Sequence, residues 1–443
     1  MKNFKSIKKI PEILKIAAIN LAFLLVFVEL GSLGWYFLKH KQFFYTRSNV
    51  QDKSALGINL EGVRLNQSII VRLHPFFGFI EKPGPDFRPG FKVNNYGFMS
   101  PYDYPFKKTK PNQFIIGVFG GSVASNYGIF EVQNKILPQY LKQLPGLKDK
   151  EFVILSFATG GYKQPQQLLI LNYFLSLGQE LDMVVNIDGF NEVALSNLNN
   201  KNKIDLAMPS IQHILPLTNL ANNSLSLKAM KASVRIQETK TKINEGLETL
   251  QHCSFAACDA LTSVYVQNLV NNYRKDVIAF DKKQTQPQKN GDNVIYINKN
   301  NSVLSDSVAF EEIASQWVKS SIFMHKVLSA SNVPYFQVLQ PNQYYQTKRV
   351  FGEAEKQIAF NKDTPYAKAV EIGYPVLLSK FPNLQKNNIT IFNGVKVFDK
   401  TKDVVYVDSC CHYNQAGQAI FSNYVGRSIL EYLQKNEARS KKK

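Results

Sequence analysis

Apolar positions along this chain fall into two kinds of run. The first is a single long one, Ile16 to Leu38, reading IAAINLAFLLVFVELGSLGWYFL, interrupted only by Asn20 and Glu29. About 23 residues at roughly 1.5 Å each are enough to cross a bilayer core of roughly 30 Å. Trp35 and Tyr36 stand near its end, where amphipathic rings favour the membrane interface. A cleaved signal peptide has a shorter apolar region, about 7–15 residues, and a small-residue cleavage site. No A-x-A pattern follows here, so the run predicts an uncleaved signal anchor. Lys2, Lys5, Lys8, Lys9 and Lys15 precede it, and Lys39, Lys41 and Arg47 follow. The excess in front assigns that end to the cytoplasm and the bulk of the chain to the extracytoplasmic side, in a periplasm or on a cell surface. Glu29 is costly inside a bilayer. It either faces a partner helix or stays protonated near one leaflet, and the second is the expectation.

The second kind of run is short, continuous and bounded by polar or turn residues, as in strands buried on both faces. Phe114–Phe119, Phe152–Phe157, Met183–Ile187 and Tyr335–Leu339 are of this type, and Val404–Val407 is expected to be another. Helical stretches alternate with them at about 130–143, 165–177, 308–330 and 415–434. Strands alternating with helices predict an α/β fold, a three-layer α/β/α sandwich around a mostly parallel, flavodoxin-like sheet. Residues 1–40 form the cytoplasmic tip and anchor. Residues 41–112 read as an irregular leader, rich in Pro, Gly and aromatics, with strand-like pieces at Ser68–Val71 and Phe91–Val93; its aromatics need burial against the main domain. Residues 113–443 form that domain. It is interrupted at about 196–306 by a polar, asparagine-rich insertion with a helical section near 226–275, which either lines a ligand site or elaborates the surface. No internal repeat is present.

The composition alters this picture little. The 443 residues suit one large domain with insertions, and an apolar fraction of 44% supports a substantial core. A net charge of +19 raises nucleic acid as a partner. The basic residues are mostly lysine, scattered rather than clustered, whereas base readout favours arginine forks. No nucleic acid is therefore expected, and the charge leaves at most an attraction to anionic polymers or lipid headgroups.

Chemistry-bearing residues sit just after the predicted strands, where open parallel sheets bind ligands. Gly120-Gly121 turns the chain and presents Ser122 at the start of a helix. No G-x-x-x-x-G-K-[ST] or G-x-G-x-x-G spacing is present, so the turn is neither a phosphate loop nor a dinucleotide fingerprint. Gly160-Gly161 ends the second strand and could free a backbone N–H. Gly189-Phe190-Asn191-Glu192 follows the third and offers a side-chain amide. Asp408-Ser409-Cys410-Cys411-His412 precedes the last helix, with Asp408 near enough to orient the imidazole. Taken singly, each is an ordinary turn or cap; together they run Ser, Gly, Asn, His at successive strand ends.

In that order the chain resembles the SGNH hydrolase superfamily, the GDSL-like esterases. The matching blocks are Gly120-Gly121-Ser122, Gly161 (or Gly160), Gly189-Phe190-Asn191-Glu192 and Asp408 to His412. Phe91–Phe98 and Leu339-Gln340-Pro341-Asn342 resemble the corresponding segments of membrane-anchored bacterial members. The likeness covers about 80–443 without the insertion. It implies a serine esterase in which Ser122 attacks an acyl ester, His412 relays the proton, Asp408 holds the imidazole, and Gly161 and Asn191 bind the oxyanion. No metal or other cofactor is implied, and the histidines show no H-E-x-x-H spacing. The expected substrate is a small acyl ester, an O-acetyl group on a glycan being the type case. Polysaccharide O-acyl transfer by the same serine, and an inactive glycan- or protein-binding scaffold, are the rival readings. Two departures stand out. The family's acid lies three residues before the histidine, where this chain has Ser409, so either a bulge lets Asp408 serve or Ser122 and His412 act as a dyad. Glu192 replaces the usual Asp after Asn191. The four cysteines, Cys253, Cys258, Cys410 and Cys411, leave a bridge within the insertion, a bridge from it to the histidine loop, and free thiols all open.

Overall fold

In the computed structural model, residues 12–47, 71–85, 91–214, 217, 227–284, 302–361 and 363–440 are described. The chain divides into two compact units, Met1–Ser68 with Leu225–Lys283, and Ile69–Ser224 with Gln284–Lys443. Of the interruption expected at 196–306, residues 227–283 fall in the first unit and 196–214 in the second. Lys2, Lys5, Lys8, Lys9 and the predicted strand start at Ser68–Ile70 lie outside the described residues.

The first unit is built on the N-terminal helix Glu12–His40. Its stretch Lys15–His40 is long and apolar enough to cross a membrane, with a mean hydropathy of 2.2, and its most apolar window is wholly unburied. The helical section expected near 226–275 is a pair of helices, Leu227–His252 and Ala256–Gln284. Ile236, Ile243, Leu247 and Leu250 recur at spacings of seven, four and three and pack on Val266, Val270 and Tyr273. That spacing keeps one apolar seam facing the partner helix. The disulfide Cys253–Cys258 closes the turn between them, while Cys410 and Cys411 remain thiols. Glu29 is not left bare in the apolar helix. Its carboxylate accepts the Tyr45 hydroxyl at 2.7 Å and the backbone N–H groups of Ala256 and Ala257, each at 2.8 Å. Those two amides open a helix and have no acceptor within it, so Glu29 acts as their cap.

The second unit is organised by a five-stranded parallel sheet. In chain order the strands of that sheet and the principal helices are β1 (Gln113–Gly120), α1 (Ser122–Asn134), α2 (Ile136–Leu141), β2 (Glu151–Ser156), α3 (Gln166–Ser176), β3 (Met183–Asp188), α4 (Phe190–Lys201), α5 (Asp306–Ser329), β4 (Tyr335–Leu339), α6 (Ala367–Ser379), β5 (Thr390–Asn393) and α7 (Gln415–Ser440). The spatial order is β5-β4-β3-β1-β2, every neighbouring pair parallel. The chain runs from β1 out to the edge at β2, then crosses back to β3 and continues the other way. This is the flavodoxin-like order, and its reversal between β1 and β3 opens a crevice at the carboxyl ends of those strands.

Helices cover the sheet in two groups, α1, α2 and α7 packing together, and α3, α4, α5 and α6 packing together. β3 and β4 are buried along their whole lengths, as strands covered on both faces must be. The periodicity of α5 shows why it lies where it does. Phe310, Ile313, Ala314, Trp317, Ser321, Met324 and Leu328 recur every three or four residues and are all buried. Removing the Trp317 ring would cost about 3–5 kcal/mol. Phe77, Phe79, Phe98 and Tyr104 of the leader insert into the same core, which meets their need for burial.

Strand assignment fails at one place. Val404–Val407 is not a strand of the sheet; the fifth strand is Thr390–Asn393, paired with β4. The backbone N–H groups of Val405 and Tyr406 donate instead to the Glu355 carboxylate, at 2.8 and 3.0 Å. Glu355 is itself buried and ion-paired with Arg349 at 2.7 Å. With its donors taken by a side chain, the apolar run needs no neighbouring strand and forms only the isolated bridge Tyr406–Tyr413.

Candidate active site

Ser122 is the first residue of α1, immediately after the glycine turn that ends β1. Gly120 holds φ +140, and a Cβ there would overlap the Ile187 carbonyl oxygen of β3. A Cβ at Gly121 would overlap the Asn191 amide nitrogen. The two glycines thus serve different ends: one gives a backbone angle and a close strand contact, the other lets the Asn191 side chain come up beside the serine. At the start of α1 the backbone N–H groups have no intrahelical acceptor, so partial positive charge faces the Ser122 side chain.

His412 meets Ser122 from the loop before α7. Its Nε2 lies 2.7 Å from Ser122 Oγ. Its Nδ1 is hydrogen-bonded to Asp408 Oδ2. Asp408 is four residues upstream, one more than the expected spacing, and the loop accommodates the difference through the other carboxylate oxygen. Oδ1 accepts the backbone N–H groups of Cys410, Cys411 and His412 at 2.9, 3.0 and 3.3 Å. The tight turn that brings the histidine back is therefore wound on the acid itself. Burial works to raise the Asp408 pKa, but the His412 hydrogen bond and charge and the turn's N–H groups outweigh it. The carboxyl stays well below the usual range and remains ionised at neutral pH.

Asn191 is buried on the first turn of α4, and its Nδ2 donates to the Tyr162 carbonyl at 2.7 Å. One amide hydrogen remains beyond that bond. The Gly160–Gly161 pair resolves into two settings. A Cβ at Gly160 would stand 3.9 Å from Ser122 Cβ, so Gly160 borders the serine; at Gly161, with φ +85, the space is filled by the His213 ring. His213 also stacks on Phe79, ring centroids 5.1 Å apart.

Next to these groups lies a layer of buried ionisable side chains. Glu192 accepts the N–H of Gly189 at 2.7 Å and that of Gln164 at 3.0 Å, which joins the start of α4 to the loop after Gly161. The longer Glu in place of Asp spans this gap. Lys163 is fully buried and donates to the Leu206 carbonyl. Burial pushes its pKa down to about 8, against the pull of Glu192 and Asp205. Burial raises the Asp188 and Glu192 carboxyls.

Ser122, His412, Asp408 and Asn191 are thus brought to one crevice, with Gly160 beside the serine and Gly161 one residue further on. His213 borders the site as well, a residue that the strand-end pattern does not include. His213 comes from the first part of the interruption, where no pattern marks it. Cys411 stands next to the histidine in sequence, and its buried thiol lies beside the Ser122 side chain.

No protein-family model matches the chain, and no curated protein sequence matches it. Among solved structures it is similar to a GDSL-like lipase from Bacteroides thetaiotaomicron VPI-5482, at 10% identity and a TM-score of 0.28, over 74% of this chain and 91% of that one.

Proposed function

We propose that this chain is a membrane-anchored, extracytoplasmic serine esterase that hydrolyses small acyl esters, the O-acetyl groups of a glycan being the favoured class. One observation carries the reading: Ser122 Oγ lies 2.7 Å from His412 Nε2 while the other ring nitrogen is held by Asp408. That is the hydrogen-bonded line a serine needs to become a nucleophile at neutral pH. Ser122 attacks the ester carbonyl as His412 takes its proton. His412 then protonates the leaving alcohol, and a water molecule activated by His412 clears the acyl-enzyme. The Ser122 and Gly161 N–H groups and the second Asn191 amide hydrogen are the proposed oxyanion donors, Gly160 N–H being the alternative second donor. Each is worth about 2.7–4 kcal/mol where aligned.

The capping of helix Ala256–Gln284 by Glu29 supports a retained anchor over a cleaved signal. Cleavage beyond the apolar stretch would remove the acceptor of two helix-opening amides. The intact mass of membrane-extracted protein tests this, since a cleaved N-terminus contradicts it.

Hydrolysis of a chromogenic acetyl ester by the detergent-solubilised chain, beside Ser122→Ala, tests the chemistry. Equal rates overturn it and leave the inactive-scaffold reading. Weak hydrolysis that becomes acyl transfer on adding an oligosaccharide shifts the assignment to an O-acyltransferase.

A further inference from the structure

Cys410 and Cys411 are adjacent thiols immediately before His412, and the esterase chemistry uses neither. Their Sγ atoms are 3.1 Å apart, closer than two sulfurs rest without bonding or sharing a hydrogen. Cys410 is half-buried and reachable from solvent; Cys411 is buried, beside the Ser122 side chain. Both belong to the turn whose N–H groups converge on Asp408. The other two cysteines are joined as a disulfide, so the described chain itself calls for an oxidising surrounding. We propose that Cys410 and Cys411 form a reversible vicinal disulfide, a covalent modification site that switches the Ser122–His412 pair off. The proposal rests on the esterase reading for what is switched, but not for whether the bond forms.

The step balances as thiol–disulfide exchange with a small or protein disulfide as oxidant. The Cys410 thiolate attacks one oxidant sulfur, giving a mixed disulfide and releasing one thiolate. Cys411 Sγ, after losing its proton, attacks Cys410 Sγ, forming the Cys410–Cys411 bond and expelling the second thiolate. Two protein thiols are oxidised and one oxidant disulfide is reduced to two thiols. Burial and the neighbouring Cys410 push the Cys411 thiol up, which makes Cys410 the first nucleophile and Cys411 the resolving one.

Geometry makes the bond labile and consequential. Cα atoms of adjacent residues are about 3.8 Å apart, below the roughly 4.4–6.8 Å that relaxed disulfides span. A bond closed across one peptide is therefore strained and easily reduced, the property of regulatory rather than structural disulfides. Closing it rotates the 410–411 peptide, whose N–H is one of the three on Asp408 Oδ1. Displacing a catalytic group by about 1 Å costs on the order of a hundredfold in rate.

The experiment equilibrates the full chain, in detergent, with graded mixtures of reduced and oxidised glutathione. Two readouts are followed: the mass of the 410–411 peptide after blocking free thiols, and the rate at which Ser122 is labelled by a fluorophosphonate. The expected result is loss of two alkylatable thiols in oxidising buffer, with labelling slowed on the order of a hundredfold and restored by dithiothreitol. Cys410→Ser should label at the reduced rate in every buffer. A pair that stays reduced across the series overturns the proposal, and so does a pair that closes without slowing the label. If Ser122 is unreactive even in the reduced chain, the esterase reading fails and the switch with it, while the peptide mass still decides whether the bond forms.

Discussion

Asp408 grips His412 from four residues upstream, with one carboxylate oxygen on the imidazole and the other on three successive backbone N–H groups of the intervening turn. Folding the loop and orienting the ring are thus one act. Asp408→Asn separates them. The amide oxygen still accepts the turn's N–H groups, so the melting temperature should stay close to that of the parent. The ring loses its negative partner and takes the wrong tautomer, and kcat should fall on the order of ten-thousand-fold, as it does in a serine-protease triad. Steady-state kinetics beside a thermal melt separate the two effects. Asp408→Ala should lose both activity and several degrees of melting temperature.

Asn191 has its Nδ2 fixed by the Tyr162 carbonyl at 2.7 Å. Asn191→Ala should lower kcat by about 10²–10³ with KM nearly unchanged, the mark of a donor that acts on the oxyanion rather than on the bound ester. Gly121→Ala should give a loss in the same direction, because its Cβ would displace the amide nitrogen.

Glu131 is buried in α1 and its carboxyl is pushed up to about 7, chiefly by burial. An unfolded Glu titrates near 4.3, so between about 4.3 and 7 the native state holds the proton more tightly. Stability is therefore lost as pH rises through that window, and the loss is complete above the folded value. Glu131→Gln removes the penalty. The variant should gain on the order of 3–4 kcal/mol over the parent at pH 8 and nothing at pH 4. Denaturant midpoints at the two pH values check the sign.

Arg349 and Glu355 form a buried pair, and Glu355 also holds the backbone of Val405 and Tyr406 at the root of the histidine loop. Arg349→Met leaves that carboxylate without its cation and should cost about 3–5 kcal/mol. The double variant with Glu355→Gln should recover part of this, since no bare charge is left buried. Equal losses in the single and double variants would show that the cation's charge is not what matters.

Much of this arrangement was legible because it is local. The runs Phe114–Phe119, Phe152–Phe157, Met183–Ile187 and Tyr335–Leu339 are strands since nothing but a doubly covered sheet suits them, and the helical stretch at about 308–330 is α5. Three parts were illegible, two of them because their partners are distant in sequence. Val404–Val407 has the composition of a strand, yet its donors are met by Glu355, some fifty residues back, and the edge position goes to Thr390–Asn393. The choice between triad and dyad could not be made from spacing alone, because the compensation lies in which N–H groups Asp408 accepts. His213 reaches Gly161 only through the fold of residues 202–214 on α4, which no periodicity records.

The central claim is that His412 makes Ser122 a nucleophile. Treating the full chain with a fluorophosphonate and mapping the adduct by peptide mass tests it most directly. The label should fall on Ser122 alone, and His412→Ala should slow it by several orders of magnitude without unfolding the chain. A label that lands elsewhere, or that forms on Ser122 as fast without His412, would contradict the account.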